Sequence, residues 1–379
     1  MPILLPDLTA LPLFRRSSPG DLGPSLPLWS EVTLNPGQLL FAQGEPAHSL
    51  AILLSGELAA EVGTVEVGRV AAGELIGEAA AFLPGELRIA TVKARKASRL
   101  ALLPRQALGA LRAQRSPVFL ALIEAATLTL ARRVRATNSR IAAAAQGEVA
   151  APARTEPSAL ARLWRALKPG GPSGPCPPIE PLLRQQPGLG DVPAEVLAEI
   201  AAVFTPMPMQ EGAVLFLEGE SGSSAALVAD GEVDVLRNVR GNKAERLTTL
   251  KPGAAFGINA IVERAPRTAS CVATSSGWLY QLEAEALGKL RGEARAHWQE
   301  SVLAVLASQI RNANAVLRRT TVGDEVAAPA AAKADDFSAL LKASGYLESL
   351  PVHEQDLERV SVTYTEDDRR NWKGQRERA

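Results

Sequence analysis

The chain of 379 residues contains the same three sequence blocks twice, in the same order. The first block is PGQLLFAQGEPAHSLAILLSGE at 36–57, and its counterpart at 211–232 is EGAVLFLEGESGSSAALVADGE. The other two blocks recur in the same way, at 73–92 and 253–272 and at 129–138 and 305–314. Three blocks repeated in one order indicate an internal duplication, so the chain is predicted to fold as two copies of one domain.

Each copy combines short strands with a long helix. Brief apolar runs, such as Leu39–Phe41 and Leu50–Leu54, are separated by glycine-containing turns, which is typical of an antiparallel barrel. The stretch PVFLALIEAATLTLARRVRATNSRI at 117–141 has helical periodicity instead. Six of its residues can line one face: Leu120, Ile123, Thr127, Leu130, Val134 and Ile141. The pattern therefore predicts a barrel followed by a long closing helix.

Residues 73–92, GELIGEAAAFLPGELRIATV, resemble the phosphate-binding cassette of the cyclic nucleotide-binding domain family. In that family a Gly-Glu pair opens a short helix, and an Arg ten residues after the Glu closes the cassette. Gly77, Glu78 and Arg88 match this spacing. The Pro-Gly turn, strand and Ser-Gly-Glu ending of 36–57 resemble a second hallmark of the same family.

The resemblance implies an α+β fold with two tandem double-stranded β-helix (jelly-roll) barrels, each flanked by helices that include a long closing helix. It predicts domain A at 1–145 and domain B at 181–320. An Ala/Pro/Gly-rich linker at 146–180 would join them, and 321–379 would form a second linker and a charged tail.

The resemblance also implies roles for the cassette residues. Arg88 would neutralise the single charge of a cyclic phosphodiester, helped by backbone N–H groups. Glu78 would accept a hydrogen bond from the ribose 2′-OH, which DNA lacks. Ile89 departs from the pattern, because many members carry Ser, Thr or Ala there. The implied ligand-binding residues are Gly77, Glu78, Ala79, Arg88, Ile89, Ala90, Thr137 and Asn138.

The choice of base depends on the closing helix. LARRVRATNSRI is similar to the helix of transcription factors related to the catabolite activator protein, in which a Thr-Ser pair meets the purine edge. Thr137 and Asn138 occupy the paired positions, and their donors and acceptors favour adenine over guanine, so cAMP over cGMP. The alternative interpretation is that both are solvated positions on an exposed helical face.

The second cassette keeps the glycine and the arginine but has Ile258 where Glu is expected. Ile258 cannot accept a hydrogen bond, and a buried unpaired hydroxyl would cost about 1–3 kcal/mol, or roughly ten- to hundred-fold in affinity. The residues of this predicted weaker site are Gly257, Ile258, Arg267, Thr268, Ala269 and Asn314.

Charge and reactive residues exclude several classes of function. With 41 basic and 41 acidic residues the formal charge is zero, so no nucleic-acid partner is expected. The arginines of the closing helices are predicted to form a solvated face. Two cysteines, Cys176 and Cys271, and three scattered histidines predict no disulfide framework, metal site or catalytic residues. The N-terminus does not resemble a signal peptide or a membrane span, so a cytoplasmic location is expected.

Two hypotheses for function remain open from the sequence. The first is a cytoplasmic cAMP-type sensor or adaptor, not an enzyme and without a DNA-binding domain, in which domain A holds the ligand and domain B is degenerate. Its partners would be a cyclic mononucleotide and an unknown protein, and the leucines of the closing helices would suit a homodimer. The second is a ligand-free structural or protein-interaction module built on degenerate barrels.

Overall fold

The computed structural model describes residues 3–83, 85–145, 172, 174–240, 243–322 and 361–363. The chain divides into two compact units. The first consists of Met1–Gly147 with Arg291–Glu325, and the second of Glu148–Leu290 with Val326–Ala379. Most of the predicted linker and tail lies outside the described residues, including 146–171 and 323–360.

The first unit begins with short helices. These are α1 (Leu5–Thr9), a 3₁₀ turn at Pro12–Phe14, α2 (Pro19–Leu22) and a 3₁₀ segment at Gly23–Leu28. Ser18 caps α2, because its hydroxyl accepts from the Asp21 N–H while Asp21 accepts from the Ser18 N–H. The buried ring of Phe14 packs edge-on against Trp29 at the start of the barrel.

Eight antiparallel strands form the first barrel. They are β1 (Ser30–Leu34), β2 (Leu39–Phe41), β3 (Ser49–Ser55), β4 (Glu57–Val62), β5 (Val65–Ala71), β6 (Leu75–Ile76), β7 (Thr91–Ala94) and β8 (Ser98–Pro104). One sheet has the order β1-β8-β3-β6 and the other β2-β7-β4-β5. Both sheets contribute to a single core that includes Leu53, Leu58, Val92 and Leu100, which is the arrangement of a jelly roll. Helix α3 (Glu78–Ala81) lies between β6 and β7.

A glycine is required at the tight turn between β3 and β4. Gly56 has φ +101°, and a Cβ there would lie 2.5 Å from the Ala97 carbonyl oxygen. Gly231, with φ +85°, occupies the corresponding turn of the second barrel. The repeated glycine of the first sequence block is therefore explained by the backbone of the fold.

The second unit repeats this order. Helices α6 (Ile179–Arg184) and α7 (Ala194–Ala201) precede β9 (Phe204–Met209), β10 (Val214–Phe216), β11 (Ser224–Asp230), β12 (Val233–Arg240), β13 (Lys243–Leu250), β14 (Ala255–Phe256), α8 (Ile258–Glu263), β15 (Ser270–Ala273), β16 (Gly277–Glu283) and α9 (Ala284–Leu287). Its sheets are β14-β11-β16-β9 and β10-β15-β12-β13, and a further strand extends the second sheet at β13. The added strand β17 (Ser361–Thr363) comes from the predicted tail and pairs with β13. The α+β prediction with two jelly-roll barrels is confirmed.

Two long helices pack together in the first unit. After α4 (Arg105–Ala113), helix α5 (Pro117–Ala145) closes the first repeat as predicted, and α10 (Gly292–Val322) closes the second repeat in sequence. Helix α10 nevertheless belongs to the first unit, where it packs along α5. Their apolar faces are buried, among them Ile123, Leu130 and Val134 of α5 and Leu303, Leu306 and Ile310 of α10. Some of the leucines that predicted self-association, such as Leu130 and Leu306, are thus buried within the first unit, and the homodimer stays a prediction.

Candidate functional site

Gly77 shapes the first cassette. It has φ +80° and stands directly before α3, which opens with Glu78. A Cβ at Gly77 would lie 2.2 Å from Arg88 Nη1 and 3.0 Å from the Phe41 ring. Glycine is therefore required at this position for two reasons, its left-handed backbone conformation and the close approach of the arginine.

Arg88 is held by carbonyl groups and an aromatic ring. Its Nη1 donates to the Gly77 carbonyl oxygen at 3.2 Å, and its Nη2 donates to the Ser49 carbonyl oxygen at 2.7 Å. The guanidinium carbon lies 3.5 Å from the centre of the Phe41 ring. The residue is only 4% exposed, and within the described residues its Nε has no hydrogen-bond acceptor.

Arg88 remains a cation although it is buried. Burial lowers the pKa of the Arg88 guanidinium to about 10, while the charges of Glu45 and Glu78 act in the opposite direction. The side chain is thus still charged at neutral pH. Its hydrogen bonds go to neutral carbonyl groups rather than to a carboxylate. A buried cation of this kind can gain a charge-assisted hydrogen bond from a bound anion.

Glu78 is fully buried and is held through one of its two oxygens. Its Oε1 accepts from Nη1 of Arg133 on α5, whose Nη2 donates to the Leu75 carbonyl oxygen at 3.0 Å. Oε2 of Glu78 is also buried, and it accepts no hydrogen bond from the described residues. Arg133 therefore fixes the carboxylate and leaves one acceptor oxygen uncommitted.

Sequence reasoning missed Arg133 as a site residue. It was placed on a solvated helix face, whereas its side chain is only 31% exposed and is ion-paired with Glu78. Arg140 is likewise engaged, because it donates to the Val67 and Glu66 carbonyl oxygens. The signal present in the sequence was spacing: Arg133 precedes Thr137 by four residues, so both lie on one face of α5.

The other residues predicted for the first site differ in exposure. Thr137 is 3% exposed, so it is not the solvated position that the alternative interpretation required, and Asn138 is half-buried. Ala79 and Ala90 are buried and Ile89 is half-buried. The segment Gly85–Ala90, called the cassette loop below, carries Arg88 back into the barrel, where the Arg88 N–H donates to the Glu45 carbonyl oxygen at 2.9 Å.

The second cassette holds its arginine in a similar way, with a glycine carbonyl group, a serine and a phenylalanine ring, and this set of contacts is called the arginine cradle below. Gly257 has φ +79°, and Arg267 donates to its carbonyl oxygen at 3.3 Å and to Ser224 Oγ at 3.1 Å. The guanidinium carbon lies 3.6 Å from the centre of the Phe216 ring, and burial lowers the pKa of Arg267. Arg267 is 7% exposed, so this is again a buried cation held by neutral groups.

The carboxylate half of the site is absent from the second cassette. Half-buried Ile258 opens α8 in place of Glu, and in the aligned closing helices Gln309 stands where the first repeat has Arg133. Thr268 is exposed and Ala269 is half-buried. Asn314, predicted for this site, lies on α10 in the first unit, where it is 4% exposed and its Oδ1 has no partner among the described residues.

The described part of the chain contains no group of three or more His, Cys, Asp or Glu side chains that could hold a metal ion. Among the helices described here, none combines the length and the apolar character that crossing a membrane requires.

Comparison with known proteins agrees with this geometry. The family model described as "Cyclic nucleotide-binding domain" matches residues 31–115 and 206–293, one match in each barrel. A curated relative, the CRP-like cAMP-activated global transcriptional regulator of Mycobacterium tuberculosis, is 26% identical over 123 residues. That alignment covers 32% of this chain and 54% of the regulator, so the chain spans about half the length of the curated relative.

Two solved structures similar to the chain differ in how much of it they cover. The regulatory domain of Toxoplasma gondii PKA with cAMP is 19% identical, with 78% of this chain and 94% of that chain covered and a TM-score of 0.29. The Thermus thermophilus catabolite activator protein is 27% identical, with 34% and 60% covered and a TM-score of 0.31. At these TM-scores the likenesses carry no weight for the fold, which follows from the sheet order and the two family matches.

Proposed function

The chain carries two domains of the cyclic nucleotide-binding family, and on that premise we propose that it is a cyclic nucleotide sensor with its ligand site in the first unit. The observation that carries the proposal is the pairing of two buried, incompletely satisfied groups. Arg88 offers a cation held by carbonyl groups, and Glu78 offers an oxygen with no hydrogen bond from the described residues. A cyclic ribonucleotide supplies an anion for the first and a hydroxyl for the second.

The phosphate is assigned to Arg88. A cyclic phosphodiester carries one negative charge, which matches one guanidinium. The ring of Phe41 and two carbonyl oxygens already orient the side chain. Little conformational entropy is lost when such a preorganised group binds its ligand.

The ribose 2′-OH is assigned to Glu78. The ion pair with Arg133 keeps the carboxylate in place, and Oε2 can accept a hydrogen bond from the hydroxyl. Because Arg133 comes from α5, contact between the ligand and Glu78 is communicated directly to the closing helix. The adenine edge is assigned to Thr137 and Asn138, which lie one turn further along that helix, and cAMP is favoured over cGMP.

The output is proposed to be a movement of α5 or of the cassette loop. Arg88 Nε and Glu78 Oε2 are both shielded from solvent, so a ligand reaches them only when one of these elements moves. A ligand that converts a mostly open population into a mostly closed one must favour the closed state by about 5 kcal/mol. An adaptor would transmit this change to a protein partner in the cytoplasm.

The second unit is proposed to bind cyclic nucleotides weakly or not at all. Its buried Arg267 remains, but Ile258 replaces the carboxylate and Gln309 replaces its aligned arginine. These two substitutions support the alternative hypothesis, a ligand-free structural or protein-interaction module, for the second unit alone. The chain would then combine one sensing domain with one domain that serves protein contacts.

Isothermal titration calorimetry of the full chain with cAMP, cGMP and 2′-deoxy-cAMP tests the proposal. The expected result is one site per chain, tightest for cAMP, with weaker binding of the deoxy analogue. Arg88→Ala should abolish this site, and Arg267→Ala should leave it intact. Absence of heat and of any thermal shift at millimolar cAMP would overturn the sensor function.

A further inference from the structure

The cassette loop of the first unit is contacted by a residue far away in sequence. Arg311 on α10 forms an ion pair with Glu86, two residues before Arg88. Both residues belong to the first unit, and their side chains are 38% and 26% exposed. A helix that follows the second barrel in the chain therefore touches the loop that presents the phosphate-binding arginine.

Other contacts at the loop come from the first repeat. Just before the loop, Arg105 Nη2 donates to the Leu83 carbonyl oxygen at 2.6 Å. Near its end, the Gly44 N–H donates to the Arg88 carbonyl oxygen at 2.9 Å, and Leu87 forms a bridge with Pro46. Glu86 lies between these anchors, so its ion pair restrains the middle of the loop.

Helix α10 is itself firmly held in the first unit. At its beginning, Arg112 donates to Glu293 and Glu300, each at 2.7 Å, and Arg295 pairs with Glu124. Arg311 lies 16 residues beyond Arg295, which is roughly 24 Å along a helix. The Arg311–Glu86 pair is thus a separate contact that can open while the opposite end of α10 stays docked.

The contact is specific to the first cassette. Ala265 occupies the position of Glu86, because each residue lies two positions before its cassette arginine. The next residues, Leu87 and Pro266, form equivalent β-bridges, which supports this alignment. The second cassette therefore has no carboxylate there, although the aligned closing helix of the first repeat does carry an arginine, Arg135. The duplication therefore keeps the arginine in both closing helices, whereas the carboxylate at this cassette position is present only in the first cassette.

We propose that Arg311 is a positioning residue for the ligand site and that its pair with Glu86 couples ligand affinity to the docking of α10. The inference rests on the proposed function of Arg88. When the pair is formed, the loop is restrained and the charge of Glu86 is neutralised. When α10 withdraws, the loop is freed and an uncompensated carboxylate remains two residues from the phosphate-binding arginine, which disfavours an anion.

A partly exposed ion pair contributes little to overall stability, typically about 0.2–1 kcal/mol. Its effect should therefore appear in the loop and in ligand binding rather than in the melting temperature. Weaker ligand binding with an unchanged melting temperature would therefore distinguish a positioning role of Arg311 from a general structural role.

The test compares Arg311→Ala with Arg295→Ala in the full chain. Arg295→Ala is the matched control, because it removes an ion pair of the same helix away from the cassette loop. Arg311→Ala is expected to weaken cAMP binding about three- to tenfold and to speed hydrogen exchange of the amides of residues 85–88 without ligand. Arg295→Ala is expected to change neither by more than about twofold.

Two further variants sharpen the result. Glu86→Ala removes the pair without leaving a bare carboxylate, so its loss of affinity should be smaller than that of Arg311→Ala. The charge swap Glu86→Arg with Arg311→Glu should restore part of the affinity. Unchanged binding and loop exchange in Arg311→Ala, or equal effects of Arg295→Ala, would overturn the inference.

The two proposals fail in distinguishable ways. If the wild-type chain binds no cyclic nucleotide, the sensor function is wrong and the coupling to affinity is wrong with it. If the wild type binds cAMP but Arg311→Ala binds equally well, the coupling alone is wrong. Hydrogen exchange of the cassette loop reports the restraint itself in either case.

Discussion

The two cassettes share their arginine cradle and differ in their carboxylate. The distances from the guanidinium carbon to the centre of the stacked ring are 3.5 Å for Arg88 and 3.6 Å for Arg267. The hydrogen bonds to the preceding glycine carbonyl are 3.2 and 3.3 Å. Only the first cassette has an acidic residue directly after the glycine, Glu78, which is tied to the closing helix through Arg133.

This difference separates what the fold requires from what a ligand requires. In both units the arginine fills a space that its glycine and phenylalanine leave for it, so it stabilises the end of the barrel whether or not a ligand binds. A retained arginine is therefore weak support for ligand binding. The buried carboxylate is stronger support, because a carboxylate without a binding role would have been costly to keep inside the protein.

The largest expected effect comes from removing each arginine in turn. Arg88→Ala should weaken cAMP binding by at least about a hundredfold, since a charge-assisted contact to a buried anion is worth about 3 kcal/mol. Arg267→Ala should leave the affinity unchanged. Calorimetry measures both affinities in the full chain.

Stability provides the control for this pair. Both substitutions remove a buried side chain that donates to a glycine carbonyl group, so both should lower the melting temperature by similar amounts. A loss of affinity in Arg267→Ala equal to that in Arg88→Ala would contradict the assignment of the ligand to the first unit.

The carboxylate gives the next largest effect. In the wild type, cAMP should bind about ten- to thirtyfold more tightly than 2′-deoxy-cAMP, because Glu78 Oε2 accepts the 2′-OH. Glu78→Gln keeps an acceptor for Arg133 but weakens the contact with the hydroxyl, and Glu78→Ala removes it. The preference should shrink in the first variant and vanish in the second, as measured by competition binding.

Ile258→Gln is the matched control for this experiment, because it places the same side chain at the corresponding position of the second cassette. It should leave the ratio of the two affinities unchanged. If Glu78→Ala keeps the wild-type preference for the 2′-hydroxyl, the carboxylate has another role, such as orienting Arg133.

Much of this comparison could be predicted from the sequence. The repeated glycines and apolar runs predicted two barrels, and both were confirmed by the sheets and by the family matches. The presence of Ile258 in the second cassette, at the position of Glu78 in the first, was visible directly in the sequence. These features depend on local backbone conformation and on the spacing within one block, which a sequence shows well.

The residues that the sequence did not reveal depend on tertiary packing. Arg133 reaches Glu78 only because α5 packs against α3 and β6. Apart from its spacing to Thr137, nothing in the sequence distinguishes it from the other arginines of α5, which are Arg132, Arg135 and Arg140. The placement of α10 in the first unit was also missed, since both closing helices have similar apolar faces. A sequence pattern shows that a face must be buried but not which helix buries it.

The smallest expected difference lies in the residue that supports each arginine. Nη2 of Arg267 donates to the Ser224 hydroxyl at 3.1 Å, whereas Nη2 of Arg88 has the Ser49 carbonyl oxygen at 2.7 Å and the hydroxyl only at 3.4 Å. Ser224→Ala should therefore destabilise the second unit by about 1.5 kcal/mol, and Ser49→Ala should cost the first unit less than about 0.5 kcal/mol. Hydrogen exchange of the core amides of β11 and β3 measures each unit separately. Equal losses would mean that the two arginines are held alike, and the serine contacts would then not contribute to the difference between the two cassettes.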